Sequence, residues 1–275
     1  MPFVEVNGVR LHYDEYGRGH EVIISAQSSF SEGSYQEELA KQSDRYKVYT
    51  ITLRGYAPSS HVLEDLGEQW YPTWADDVNA FAKQKGIGRF IYTGASHGAG
   101  VGWYLAFRHP QVLKAFISVV GTPHDRAGGQ YSKQRLQTMQ GAQQEDFQGP
   151  QFFLVPTTDP VRQKRQAIWR QRLKERFATM SKEELKINVP KPFPECKTNE
   201  ALAEKLSQVR VPTLLLAGCQ DDVVSPEMHL LAAKVITGAK AIFYQDHSHT
   251  LPFEGKELIV QDILLYLQQL EQMEA

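Results

Sequence analysis

Residues 94–98 place a serine between glycines in a G-x-S-x-G pattern that can support nucleophilic chemistry. The apolar residues 90–93 that precede it predict a β-strand, and the residues that follow it predict a helix. A sharp strand–turn–helix connection raises the serine hydroxyl above the carboxyl edge of a sheet, next to a helix N-terminus that stabilises developing negative charge. We therefore predict that Ser96 is a nucleophile.

A serine hydroxyl is a weak nucleophile unless a base removes its proton and a carboxylate orients that base. Asp221 follows the predicted strand 213–217, so a loop at the carboxyl end of that strand can direct it at an imidazole. Two other acids compete with it: Asp222, its neighbour, and Asp125, which follows the predicted strand 115–120. We predict Asp221 as the orienting acid and keep Asp222 and Asp125 as alternatives.

Two histidines, His247 and His249, follow the last predicted strand at 241–244. Either imidazole is a suitable general base near neutral pH. With Ser96 and Asp221, either one completes a set in the chain order serine, acid, histidine. One of these two histidines is predicted to be the base, and their positions alone leave the choice open.

These residues need a scaffold, and short apolar segments alternate with helical patterns along the chain. The predicted strands are residues 3–6, 9–13, 21–25, 47–53, 89–93, 115–120, 213–217 and 241–244. The predicted helices are residues 35–42, 97–109, 161–178, 198–208 and 255–272, and a further one begins at Thr73 as its N-cap, with Asp76 and Asp77 in its first turn. Such alternation is typical of an α/β fold with a mostly parallel sheet covered on both faces.

One long segment, residues 126–207, breaks the alternation. It is polar, rich in Gln, Lys and Arg, and shows helical patterns but no convincing strand. We predict that it is a helical cap inserted into a core formed by residues 1–125 and 208–275.

A basic stretch at residues 162–176 lies within this predicted cap and contains a single acid, Glu175. One interpretation is a solvated helix face whose buried stripe is formed by Trp169, Leu173 and Phe177. The other is a basic rim that attracts an anionic substrate or contacts another subunit. The sequence leaves both open.

The composition limits the kinds of partner. The 275 residues are 41% hydrophobic and 23% charged, with a formal net charge of −2, which is typical of a globular protein and gives no reason to expect nucleic acid or a membrane. No apolar run approaches 18 residues and no signal peptide is recognisable, so we expect a cytoplasmic protein. Its partner is then a small-molecule substrate, and homo-oligomer formation stays open.

Two cysteines, Cys196 and Cys219, are too few for a disulfide framework or a four-thiolate zinc site, and we expect both to be reduced. The sequence has no metal-ligand cluster and no G-x-G-x-x-G turn. We therefore expect no metal and no organic cofactor.

Taken together, these motifs resemble the α/β-hydrolase superfamily, in particular its cap-bearing esterase, lactonase and C–C-hydrolase branch. In that branch the acid usually ends a G-x-x-D pattern, matched here by residues 218–221, and the histidine precedes a glutamate by five positions, matched by His249 and Glu254. The resemblance therefore implies His249 as the base, with His247 as the alternative. The family's R-G-x-G-x-S loop is partly matched by residues 54–59.

The resemblance covers residues 3–125 and 208–272 and implies the α/β-hydrolase fold. It also implies two backbone donors for an oxyanion. The first is the N–H of His97, directly after the predicted nucleophile. The second normally follows a His-Gly pair, where this chain has Ala-Gln-Ser-Ser at residues 26–29, so it is the N–H of Ser28 or of Gln27.

A serine nucleophile favours acyl transfer to water, whereas the haloalkane dehalogenases and epoxide hydrolases of this superfamily use a carboxylate. We predict a serine hydrolase that cleaves a small carboxylic ester or lactone. C–C bond hydrolysis, thioester hydrolysis and perhydrolase-like chemistry on the same triad are alternatives, as is a ligand-binding protein with a vestigial site. The residues expected to line the substrate pocket are Gln27, Trp103, His124 and Trp169.

Overall fold

The computed structural model describes residues 2–28, 31–62, 64–141 and 154–274. Its centre is an eight-stranded sheet with the strand order β1-β2-β4-β3-β5-β6-β7-β8. Strand β2 is antiparallel to β1 and to β4, and all other neighbours are parallel. Strands β1 to β8 cover Phe3–Val6, Val9–Tyr16, Glu21–Gln27, Tyr46–Thr52, Phe90–Ala95, Leu113–Val119, Thr213–Gly218 and Lys240–Tyr244.

Ten α-helices are assigned in the described part of the chain. Helices α1 to α10 cover Tyr35–Gln42, Trp70–Gln84, His97–Arg108, Lys133–Gly141, Pro160–Thr179, Lys182–Lys186, Asn199–Leu206, Pro226–Val235, Leu251–Glu254 and Lys256–Glu274. The sequence patterns did not predict α4, α6, α8 or α9. For α8 a start signal was present, because Pro226 occupies its first turn, as proline often does in helices.

The sheet is covered on both faces, as predicted. Ile23 and Ile24 are neighbours on β3 and both are fully buried, but they belong to different core clusters because successive side chains of a strand point to opposite faces. The cluster around Ile24 includes buried side chains of α2, α3, α7 and α8, and the cluster around Ile23 includes those of α1 and α10. Burial of both faces explains why the parallel strands are continuous apolar runs.

The predicted start of α2 was wrong. Thr73 is not its N-cap, because the helix begins at Trp70 after a 3₁₀ turn at Gly67–Gln69. Trp70 is fully buried against the core, so packing extends the helix by four residues beyond its local polar signal. Asp77 therefore lies beyond the first turn, where it accepts hydrogen bonds of 2.5 Å from Arg54.

Helices α4 to α7 follow β6 and precede β7, within the segment predicted as a cap. No strand is assigned in residues 126–141 or 154–207. Helix α7 packs through Leu202 and Leu206 into the same core cluster as α8. The boundaries of a separate cap domain stay a prediction. None of the helices in the described part of the chain is long and apolar enough to span a membrane.

Candidate active site

Ser96 lies in the sharp turn between β5, which ends at Ala95, and α3, which begins at His97. Its backbone has φ 53° and ψ −115°, an unusual conformation for a residue with a side chain. A hydrogen bond of 3.1 Å from its N–H to the carbonyl of Val119 on β6 anchors the turn.

The glycines of the motif allow this turn to form. A Cβ atom at Gly98 would lie 2.2 Å from the carbonyl oxygen of Ala26 on β3, and one at Gly94 would lie 2.2 Å from the carbonyl carbon of Gly98. Both distances are far inside van der Waals contact, so larger residues would displace the backbone. The G-x-S-x-G pattern therefore reflects close approach of β3, β5 and α3.

The structure brings together the three residues predicted as a triad. His249 Nε2 lies 2.8 Å from Ser96 Oγ, and His249 Nδ1 lies 2.9 Å from Asp221 Oδ2. An ionised carboxylate only accepts hydrogen bonds, so Nδ1 carries the imidazole proton and Nε2 can accept the proton of Ser96. This is the protonation state that a general base requires.

Asp221 is buried, with a side chain that is 0% exposed. Burial opposes its ionisation, but the charge of His249 and the hydrogen bond to it keep the pKa of Asp221 below its ordinary value. The N–H groups of Val223 and Val224 contribute in the same direction by donating to Oδ1 at 2.8 and 3.0 Å. Asp221 therefore stays ionised at neutral pH and can stabilise an imidazolium.

The alternative residues lie elsewhere. Asp125 is exposed, and its carboxylate accepts the N–H of Ala127 at 2.7 Å. His247 Nε2 is buried without a hydrogen-bond partner in the described part of the chain, and burial lowers the pKa of His247. Asp222 neighbours the acid, but the carboxylate that contacts His249 Nδ1 is that of Asp221.

The residues predicted to bind the oxyanion converge on the same place. His97, Gln27 and Ser28 all line a cavity next to Ser96. The ring of His97 is fixed by a hydrogen bond of 2.9 Å between its Nδ1 and the hydroxyl of Tyr71. Residue 29 of the same loop lies outside the described residues. Donation of backbone N–H groups to a reacting oxygen stays a prediction.

This cavity has a volume of about 300 Å³ and lies above the carboxyl edge of the sheet. From the core it is lined by Gln27, Ser28, Tyr71, Ser96, His97, Thr122, His124 and His249, among others, and from the predicted cap by Trp169, Leu173, Arg176, Phe177, Glu184 and Lys191. The chain order changes direction at β3, with β4 on one side and β5 on the other. A crevice at the strand ends beside such a switch is where α/β sheets bind ligands.

Trp103 was wrongly predicted as a pocket residue. Trp103 belongs to α3, and its side chain is fully buried. Its indole N–H donates to the carbonyl of Gly121 at 2.9 Å. It packs edge-on against Phe116 of β6. The other predicted pocket residues, Gln27, His124 and Trp169, line the cavity.

Helix α5 faces the cavity with Trp169, Leu173 and Phe177, the three residues of the predicted buried stripe. Its cations divide between two faces. Arg162, Arg165, Arg172 and Arg176 all form ion pairs with carboxylates, whereas Lys164, Arg170 and Lys174 are exposed. The interpretation as a solvated face therefore holds for the outer face of the helix, whereas the inner face packs against the rest of the protein.

One of these ion pairs lies beside the predicted base. The buried carboxylate of Glu254 accepts hydrogen bonds from Arg162 at 3.0–3.1 Å and from Gln166 at 3.0 Å. Its other oxygen accepts the hydroxyl of Thr250, which directly follows His249. The glutamate five positions after the histidine therefore joins α5 to the loop that carries the imidazole.

Sequence reasoning missed several cavity residues. Thr122 belongs to the loop after β6, which neighbours β5, so it had a readable signal in its position at a strand end. Arg176, Glu184 and Lys191 come from the predicted cap and had no such signal, because no sheet edge positions them. No group of three or more His, Cys, Asp or Glu side chains that could bind a metal is found among the described residues.

The profile of the alpha/beta hydrolase fold family matches residues 27–256. The chain belongs to the α/β-hydrolase family. The AB hydrolase superfamily protein YfhM of Bacillus subtilis is 24% identical, over 96% of each chain. The predicted family, fold and class of enzyme are confirmed at this level.

Two solved structures illustrate the similarity of fold. The esterase RhEst1 from Rhodococcus sp. ECU1013 has a TM-score of 0.76 at 21% identity and covers 98% of each chain. Est816, described as an N-acyl homoserine lactone degrading enzyme, has a TM-score of 0.75 at 21% identity and covers 95% of this chain and 98% of its own.

Proposed function

We propose that the protein hydrolyses small carboxylic esters or lactones through an acyl-enzyme formed on Ser96. The observation that carries the proposal is the continuous chain of hydrogen bonds from Asp221 through His249 to the hydroxyl of Ser96. All three partners are at normal hydrogen-bond distances and the hydroxyl is at a cavity. The solved esterase and the lactone-degrading enzyme with the same fold support this class of substrate.

The reaction proceeds in two acyl-transfer steps. His249 Nε2 accepts the proton of Ser96 as Oγ attacks the substrate carbonyl, and the N–H groups of His97 and Ser28 bind the resulting oxyanion. His249 then gives the proton to the leaving alkoxide, and the acyl group stays on Ser96. A water molecule next loses a proton to His249 and attacks the acyl carbon. His249 returns this proton to Ser96 Oγ as the bond between Oγ and the acyl carbon breaks, which releases the carboxylic acid and restores the serine. Asp221 stabilises the imidazolium in both steps.

The test compares the wild type with Ser96→Ala on a panel of aryl esters and lactones. We expect the variant to lose at least about 10³-fold in kcat, because it lacks the nucleophile. Ser207→Ala is a matched control, since Ser207 is the C-cap residue of α7 and its hydroxyl donates to the carbonyl of Glu204. A fluorophosphonate probe should label the wild type and Ser207→Ala but not Ser96→Ala.

Two results would contradict the proposal. One is full activity in Ser96→Ala. The other is a wild type that neither hydrolyses any member of the panel nor reacts with the probe, which would favour a ligand-binding protein.

A further inference from the structure

Lys191 is a buried cation at the cavity that forms no ion pair with a described carboxylate. It lies between two prolines in the predicted cap, lines the cavity and is only 7% exposed. Its Nζ donates to the carbonyl oxygens of Asp125 and Ala127, both at 2.7 Å. An ammonium group has three protons, so one has no acceptor among the described residues. In that part of the chain, no carboxylate oxygen lies within 4.0 Å of Nζ.

A second cation at the same cavity shows the contrast. Arg176 lies 2.6 Å from the buried carboxylate of Glu184, and both side chains line the cavity as a neutral pair. A buried charge is costly unless an opposite charge compensates it. Among the described residues, the direct partners of the Lys191 ammonium are two backbone carbonyls, and the carboxylate of Asp125 acts on it only from beyond ion-pair distance.

His124 adds a neutral donor close to this ammonium. Burial and the charges of His249, Lys191 and Arg126 lower the pKa of His124 to about 3. The ring is therefore neutral at pH 7, carries one N–H, and lies within electrostatic reach of both Lys191 and the base. Its ring nitrogens form no hydrogen bond with the rest of the described chain.

Arg126 increases the positive potential behind this ring. Its guanidinium donates to the carbonyl oxygens of His124 at 2.6–2.9 Å and of Pro192 at 2.9 Å. These contacts are again with backbone oxygens, and no carboxylate of the described residues pairs with it. Two cations that form no direct ion pair with a described carboxylate therefore flank one neutral imidazole beside the cavity.

We propose that the substrate carries a carboxylate in addition to its reacting carbonyl, and that Lys191 and His124 bind this carboxylate. The proposal rests on the proposed function, because it identifies the class of ester or lactone that the same site accepts. The carboxylate supplies a counter-charge in direct contact with Lys191 and accepts the N–H of His124. Selection of the anion comes from the wall of the cavity and not from the exposed cations of α5.

The main experiment uses matched esters. The 4-nitrophenyl monoesters of succinic, glutaric and adipic acid are compared with the same compounds in which the free carboxylate is a methyl ester. We expect the wild type to hydrolyse the best anionic ester with a kcat/KM at least about 10-fold above that of its neutral analogue.

Lys191→Met removes the charge and keeps the length of the side chain. It should reduce kcat/KM for the anionic ester by about 10- to 100-fold, mainly through KM, and change the neutral ester by less than about 3-fold. His124→Phe should also reduce kcat/KM selectively for the anionic ester, by a smaller factor than Lys191→Met. Lys174→Met, which removes an exposed cation of α5, is the matched control and should change neither.

A purely structural role for Lys191 makes a different prediction. If its only role is to fix the loop through Asp125 and Ala127, Lys191→Met lowers kcat/KM equally for the anionic and the neutral ester, and the proposal is overturned. Unfolding followed by circular dichroism shows whether the variant folds. If it does not fold, equal effects of His124→Phe on both esters overturn the proposal.

Binding of glutarate, measured by calorimetry, separates this proposal from the proposed function. If the probe labels Ser96 but glutarate binds wild type and Lys191→Met equally or not at all, the carboxylate site is wrong and the hydrolase stands. If the probe does not label Ser96 while glutarate binds the wild type and not Lys191→Met, the anion site stands and the hydrolase is wrong.

Discussion

The two walls of the cavity are built in different ways. On the sheet edge, main-chain groups position the polar side chains. Two backbone N–H groups donate hydrogen bonds to Asp221, and the turn that carries Ser96 is hydrogen-bonded to β6. On α5, side chains make the contacts, and Arg162 and Arg165 reach carboxylates of Glu254 and Glu257. One wall is organised by backbone geometry and the other by pairs of charges.

This difference explains how each wall can change. Backbone geometry at the strand ends is imposed by the whole sheet. A single substitution there therefore changes the chemical group that is presented more than it changes the position of the backbone. An ion pair between α5 and the core depends on two side chains, so one substitution removes the contact and leaves a buried charge. The sheet edge should therefore respond to substitution in catalysis, and α5 in stability.

The largest effect is expected on the sheet edge. Asp221→Asn should reduce kcat by about 10³- to 10⁴-fold, because an amide cannot stabilise the imidazolium of His249 and favours the wrong tautomer. Steady-state hydrolysis of the best aryl ester measures it. Asp222→Asn is the control and should keep kcat within about 3-fold; a larger loss in the control would assign the acid to Asp222.

The next effect is expected at α5. Arg162→Met should lower the free energy of unfolding by about 3 kcal/mol, because the carboxylate of Glu254 stays buried without its cation. Urea denaturation measures the loss. Adding Glu254→Gln to Arg162→Met should recover part of the stability. If the two losses simply add, the pair is not coupled and α5 is stabilised by its apolar face alone.

The sheet edge should also respond to pH through His229 of α8. This side chain is fully buried, Nδ1 contacts Thr122 and Ser225 at 3.2 Å, and burial lowers its pKa from 6.5 to about 4. Above pH 6.5 the ring is neutral in both states and stability is full. As the pH falls towards 4, the unfolded chain binds the proton first and stability is lost.

Between pH 7 and 4.5 this loss should amount to about 2 kcal/mol. Denaturation of the wild type and His229→Gln at several pH values measures it. The variant should show a flatter profile over this interval. An equally steep profile in both proteins would locate the responsible group elsewhere.

The smallest effect is expected on the outer face of α5. Replacing the exposed Lys164, Arg170 and Lys174 together by glutamine should change stability by less than about 0.5 kcal/mol and kcat/KM by less than about 2-fold. Denaturation and ester hydrolysis at low and moderate salt test this. A large salt-dependent fall in kcat/KM would show that the outer face attracts the substrate and would weaken the contrast between the two walls.

Much of the fold was readable from local patterns. Helix α1 has the predicted bounds, and the strand, turn and helix around Ser96 were predicted within a few residues. The order of serine, acid and histidine was readable for the same reason, since each follows a strand that ends at one sheet edge. The start of α2 was wrong because burial of Trp70 outweighed the local polar signal.

The cap was less readable. The apolar stripe on α5 was predicted. Which cations of α5 face water and which pair with the protein could be decided only from the positions of Glu254 and Glu257 in the fold. Trp103 was predicted as a pocket residue. It is close to Ser96 in sequence, but this closeness does not reveal which way its side chain points. It points into the core, where its N–H meets the carbonyl of Gly121.

The sequence by itself determined the sheet, the nucleophile turn and the set of candidate catalytic residues, because strand periodicity and glycine requirements are local properties of the chain. Only the tertiary structure decided which histidine meets Ser96, which acid meets that histidine, and that Lys191 and His124 lie at the same cavity. These contacts join residues far apart in sequence, and the energy of a charge depends on its burial and on its partners. Neither quantity exists before the chain has folded.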